Sequence, residues 1–244
     1  MGALWGTTIN AAAVVLGCLA GLLLPRMPER MRELIMQGLG LAILFLGVSM
    51  GLKTENFIFV VISLVLGAVI GELLQLDLRL LAVGEALEKN VKEVSVPGLG
   101  AAGGRVADGF VTATLIFCVG AMAVLGAIDS GLRGDHTLLY TKSLLDGITA
   151  MILTSTLGFG VGFSAAVIFL YQGMIALSAK WITYVLSASE LDMIVTEVGA
   201  VGGVLIAGIG ISMLHIKKIN VTNLLPSIFI AAGLVWANAK FGFL

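Results

Sequence analysis

Lys142 and Asp146 stand four residues apart in the run TLLYTKSLLDG, one helical turn, so an ammonium and a carboxylate can meet on one helix face. Asp146 is the group to bind a proton or a cation, with Lys142 as its counter-charge. The setting gives the pair its interest. From Gly147 to Ala179 no charged residue occurs, a run too long for one helix across a hydrocarbon core about 30 Å thick and too short for two. Two full helices fit only if Lys142 and Asp146 are drawn inside. Counted from Leu138, Asp146 then lies roughly 12 Å deep, near the bilayer middle. An intramembrane charge costs roughly 2.5 to 3.5 kcal/mol on insertion scales unless it is paired or hydrated, which makes such groups functional candidates. In the alternative the helix begins later, with Lys142 at the interface and Asp146 as a cap.

The second cluster is Thr154, Ser155, Gly158, Gly160, Gly162 and Ser164, within TSTLGFGVGFS, followed by Gln172. Its small, glycine-rich makeup is that of broken backbone, tolerated at membrane depth only beside protein or water. Freed carbonyls and helix ends there would coordinate an ion or a polar solute. Against this stands a plain packing face of Gly158 and Gly162 with interhelical hydrogen bonds. Residues 154–164 read equally as a loop or a re-entrant break. Asn10 and Gln37 are further polar candidates inside apolar runs. Glu197 and Asp108, near span ends, read as capping or solvated groups. His136 and His215 have no paired ligand, and Cys18 and Cys118 read as packing residues. No nucleophile with its base, Walker-type loop or metal motif is present, so the expectation is a non-enzyme without metal or cofactor.

Membrane helices must position these residues. The 244 residues are 59% hydrophobic and 12% charged, with a mean hydropathy of +1.08, whereas soluble domains carry about 25% charged residues. That leaves one membrane domain over 1–244 and no room for a soluble catalytic domain. The net charge of −1 argues against a nucleic-acid partner. Apolar runs place spans at 6–24, 34–52, 57–74, 108–128, two within 137–178, 194–214 and 219–239. The expected fold is therefore an all-α polytopic bundle of about eight spans, with six or seven as alternatives. Residues 76–94 mix leucines with charges as an amphipathic surface helix does. Glycine fills 32 positions, about 13% against roughly 7% on average, and Gly17/Gly21 and Gly47/Gly51 form small-residue faces suited to close helix packing or a homodimer. With eight spans, nine basic residues fall on one side against four on the other, Lys142 being assigned to the membrane. That bias places both termini outside.

Displaced by 163 residues, GLAI at Gly40 meets GVLI at Gly203, and GVSM at Gly47 meets GISM at Gly210. In an eight-span topology the two copies run in opposite directions, an inverted repeat relating 1–75 to 155–244 around spans in 100–150. The blocks FCVG, DSGLRGD, KSLLDG, STLGFGVGFS and YQG occur in order between Phe117 and Gly173. With these blocks the chain resembles the bacterial membrane proteins grouped as domain-of-unknown-function family 554. One departure is Ser130, inserted between Asp129 and Gly131. The resemblance implies a multi-span inner-membrane protein and brings no activity with it.

The residues favour a secondary carrier of a small polar or ionic solute, working by alternating access in the bilayer. Asp146, paired with Lys142, would exchange a proton or cation while the backbone near Gly158 to Gly162 meets the solute. A channel of the same architecture and a membrane assembly or regulatory protein are the alternatives.

Overall fold

The computed structural model describes residues 2–23, 29–79, 82, 106–118 and 121–242, and every regular element among them is helical. In chain order these are α1 (Trp5–Leu23), α2 (Glu29–Gly51), α3 (Phe57–Leu74), α4 (Val106–Cys118), α5 (Ala121–Arg133), α6 (Thr137–Leu157), a 3-10 turn (Phe159–Phe163), α7 (Ser164–Val185), α8 (Ala188–Met213), a second 3-10 turn (Val221–Leu224) and α9 (Pro226–Phe241). Six segments are long and apolar enough to cross a membrane: Trp5–Leu23, Glu33–Gly51, Phe57–Leu74, Phe159–Val185, Ala188–Met213 and Val221–Phe241. The α4/α5 pair, bent by 60°, is a seventh if it counts as one broken span. Helix α6 has the length, at 21 residues, but carries Lys142 and Asp146. The amphipathic helix expected over 76–94 lies almost wholly outside the described residues.

Large apolar side chains point outward on nearly every helix, among them Leu16, Phe45, Leu73, Leu144, Leu170 and Phe229. Lipid solvates them as well as a protein core would. Helices in a bilayer therefore associate through close packing and polar contacts, with small residues at the seams. The described residues form two compact units, one of Met1–Arg32 with Leu80–Ile182 and one of Glu33–Arg79 with Thr183–Leu244.

In the first unit α1 and α6 lie parallel and in contact from end to end. Gly6 faces Leu139, Gly17 faces Gly147 and Ala150, and Gly21 faces Met151 and Thr154. A Cβ at Gly17 would enter the carbonyl of Gly147, so only glycine admits this approach. Gly126 of α5 rests on Leu138 and Leu139, and Gly131 rests on Ala176 of α7. The fourth span, expected unbroken over 108–128, is instead two helices, and its end is not a turn at Asp129-Ser130-Gly131, because α5 runs on to Arg133.

In the second unit α2 and α8 cross antiparallel. Gly40 meets Leu214, Leu44 meets Gly210, Gly47 meets Ala207, and Gly51 meets Gly203. The faces Gly17/Gly21 and Gly47/Gly51 are thus occupied within the chain. Gly67 and Gly71 of α3 lie against Ser227 and Asn223, and Val60, Ala200, Val201 and Ala231 form a core cluster. The start of α3 is capped twice. Asn56 accepts from the Ile58 N–H at 3.1 Å. Glu197 of α8 accepts from the Thr54 hydroxyl at 2.6 Å and from the Glu55 and Asn56 N–H groups at 2.7 and 3.1 Å. Glu197 is buried, a cap for orphan backbone donors.

Two stability outcomes follow. Gly17→Val should lower the melting temperature in detergent by the equivalent of about 1–3 kcal/mol or more, whereas Gly233→Ala, where nothing lies within 4 Å of the added Cβ, should not. Glu197→Ala should cost roughly 1–3 kcal/mol for each donor left unpaired, with Glu197→Gln retaining part of it. Thermal unfolding followed by tryptophan fluorescence checks both.

Candidate functional site

Residues Lys142 and Asp146 lie in the middle of α6 on the face it turns to α1. Their exposure is 7% and 6%, while their neighbours Leu144 and Leu145 are 66% and 53% exposed. The helix hides its charges and shows its leucines, as a lipid-facing element must. The Lys142 Nζ donates to both carboxylate oxygens of Asp146, at 2.8 and 2.6 Å. The alternative of an interfacial Lys142 with Asp146 as a cap is not the arrangement found. Phe117 of α4 places its ring centroid 6.0 Å from the ammonium, within cation–π range.

Around the pair the polar groups come from α1 and α7. Asn10 Nδ2 donates to Gln172 Oε1 at 3.2 Å, both fully buried, and Asn10 also reaches the Asp146 carboxylate. Asn10 Oδ1 and Gln172 Nε2 are left without a partner, as is Thr7 Oγ1 one turn earlier on the same face of α1. An unpaired buried polar atom costs about 1–3 kcal/mol, so several gathered about one ion pair mark a place built for something other than packing. Ser143 is also buried here, its hydroxyl bound to the Leu139 carbonyl at 2.6 Å.

The other sequence candidates lie elsewhere. Thr154 and Ser155 are still in α6, which ends at Leu157, and the backbone breaks only at Gly158, whose φ is +85°. Asp146 and Gly158 are twelve residues apart, roughly 18 Å along the helix, so the two clusters are not one site. The 3-10 turn through Gly160 and Gly162 joins the ends of two long helices. It packs against α1 and α4, with Gly162 on Cys18 and Gly160 on the backbone of Val106. The hydroxyls of Ser155 and Ser164 bind Ile152 and Val161 carbonyls in their own turns, while Thr154 lies beside the Cys18 thiol. Among the described residues no three His, Cys, Asp or Glu side chains converge as metal ligands would.

Sequence reasoning missed the break that does adjoin the pair. Helix α4 ends at Cys118 and α5 begins at Ala121 with its axis turned by 60°. Cys118 lies within electrostatic reach of both Lys142 and Asp146. The last carbonyls of one helix and the first N–H groups of the next lack intrahelical partners. Gly120 in the FCVG block was the signal available.

The sequence profile of the family described as "Protein of unknown function (DUF554)" matches residues 5–236. The chain belongs to this family. It is 34% identical to the "Uncharacterized membrane protein YdfK" of Bacillus subtilis (strain 168) over 98% of this chain and 99% of that protein. It is 32% identical to the "Uncharacterized protein YqgA" of Escherichia coli (strain K12) over 93% of this chain and 94% of that one. No solved structure matches it. In this DUF554 chain the KSLLDG block supplies the ion pair, FCVG the Phe117 ring and Cys118 beside it and YQG the Gln172 amide, so three separated blocks meet at one place.

Removing one partner of a buried pair should be far worse than removing both. Lys142→Ala or Asp146→Ala alone should cost about 3–5 kcal/mol, whereas Lys142→Met with Asp146→Leu should be near neutral. Melting curves of the three variants in detergent test this coupling.

Proposed function

We propose that the protein is a secondary carrier that moves a small polar or ionic solute across the bacterial inner membrane by alternating access, with Asp146 exchanging a proton or cation and Lys142 as its counter-charge. The observation that carries the reading is the closed Lys142–Asp146 pair at mid-span of α6, beside the α4/α5 break and the unpartnered amide atoms of Asn10 and Gln172. Carriers place their sites near the midplane at discontinuous helices, where freed backbone groups and helix ends meet the cargo. The α4/α5 break takes the role that the sequence alone offered to Gly158 to Gly162. No covalent chemistry enters the reading.

The second unit supports it through symmetry. Under the 163-residue displacement Leu44 corresponds to Ala207 and Gly47 to Gly210, and the contacts Gly47–Ala207 and Leu44–Gly210 exchange into one another. Gly40–Leu214 and Gly51–Gly203 exchange in the same way. Two antiparallel helices that meet about such a two-fold axis have the geometry of an inverted-topology repeat. With α4/α5 as one broken span and α6 as another, the chain has eight spans, and the basic-residue bias then puts both termini outside.

The test is thiol labelling of Asn10→Cys and Ser143→Cys in a background carrying Cys18→Ala and Cys118→Ala, with Ile148→Cys as the lipid-facing control. A membrane-impermeant reagent should reach positions 10 and 143 from each side of the membrane, in separate populations that Asp146→Asn redistributes. Labelling of the same molecules from both sides at once would mean a channel. Unlabelled positions would mean a dry centre and leave an assembly or regulatory role.

A further inference from the structure

The first unit holds a buried imidazole outside the site described above. His136, just before α6, is 6% exposed, and its Nδ1 lies 2.9 Å from the hydroxyl of Ser130 on α5. That hydroxyl has one proton, and it is donated to the carbonyl of Ala3 at 2.8 Å. Towards His136 the oxygen can therefore only accept. Nδ1 is thus placed to donate to it, and Nε2 is buried and without a partner in the protein. The ring lies against Gly6 of α1, the residue before Thr7.

From this end a series of unsatisfied atoms runs to the ion pair. Because α1 and α6 are parallel and in register, Thr7 lies between the levels of His136 and Asp146, and Asn10 lies one turn beyond it. His136 Nε2, Thr7 Oγ1, then Asn10 Oδ1 with Gln172 Nε2 are all unpartnered, and Asn10 reaches Asp146. Ten residues separate His136 from Asp146, roughly 15 Å along α6. One or two waters can span a gap of about one helical turn, roughly 5.4 Å, if each finds two or more polar partners.

We propose that these side chains hold a file of water that conducts protons between His136 at one end of α6 and Asp146 at its centre. This rests on the carrier reading and names its coupling ion. The imidazole holds the first water of the file at Nε2, and a proton bound there leaves on that water. Thr7 Oγ accepts from one water and donates to another, and the proton ends on an Asp146 oxygen. The carboxylate becomes a neutral acid, and Lys142 is freed from its pair.

The charged and titratable groups around the two ends are few. Asp135 adjoins His136 in the loop, its carboxyl held below its usual range by the Thr137 N–H, 3.0 Å from Oδ1, together with the Thr137 hydroxyl. Helix α6 contributes the Tyr140 ring, 5.8 Å from the imidazole, and α5 the largely solvated Asp129–Arg133 pair. Among its described residues α1 carries no charged group. Asp146 faces Lys142 and Cys118.

The chain has two histidines, so histidine-labelled protein in lipid nanodiscs gives two imidazole signals in nitrogen NMR, separated by a His215→Gln variant. The expected result is a His136 protonated on Nδ1, with magnetisation passing from water to Nε2. Its Nε2 signal should shift when Asp146 becomes Asn. Thr7→Val, which is isosteric and breaks no bond in the protein, should abolish the water transfer and that dependence, and Thr7→Ser should keep both. A His136 that receives nothing from water, a ring protonated on Nε2, or an Nε2 signal indifferent to Asp146→Asn would overturn the proposal. If position 10 is labelled by thiol reagents while His136 is dry, the carrier reading stands and the proton path falls. If both are dry, both fall.

Discussion

A charge in hydrocarbon must find its opposite within a few ångströms, and in the first unit this requirement shapes everything around α6. The ammonium of Lys142 and the carboxylate of Asp146 neutralise each other across one turn, but the pair still has to be kept from lipid on its open side. Phe117, Asn10 and Gln172 do this from three different helices. Their approach depends on backbones lying close together. The glycines of α1 and α5 allow that, because a methyl group at Gly17 or Gly131 would enter a neighbouring carbonyl. Chemistry at the centre and small residues at the seams are thus two parts of one constraint.

The second unit obeys the same physics without a buried pair. Helices α2 and α8 approach through Gly40, Gly47, Gly203 and Gly210. Glu197, its one deeply buried carboxylate among the described residues, spends its acceptors on a hydroxyl and two backbone donors at the start of α3. Asn223 similarly bridges Glu72 and the Asp77 N–H, at 2.8 Å each. Carboxylates here stabilise helix ends, whereas Asp146 answers only to other side chains. That difference is why the proposed carrier cycle is assigned to Asp146.

Much of this was legible in the sequence because hydropathy and charge spacing report on side chains. The all-α class followed from residue type, and the four-residue spacing showed that Lys142 can pair with Asp146 on one helix face. What stayed hidden depends on backbone direction. The residues around Phe117 and Cys118 are as apolar as the rest of their run, so a 60° change of axis leaves no trace in hydropathy. Glycines in STLGFGVGFS gave the opposite error of emphasis. They end a helix and turn the chain, and they do so far from the charges. His136 was set aside for want of a second metal ligand; its partner is the Ser130 hydroxyl, which in turn bonds the backbone carbonyl of Ala3.

The closed pair in α6 also has an electrical meaning. Lysine and aspartate in contact sum to zero, so while they stay joined a displacement of α6 along the membrane normal does no net work against the membrane potential. Protonating the aspartate turns the same segment into a monovalent cation, on which a full crossing of the field acts with about 2.3 kcal/mol per 100 mV. In a carrier of the proposed kind the membrane potential would then act on one protonation state of this helix and not on the other.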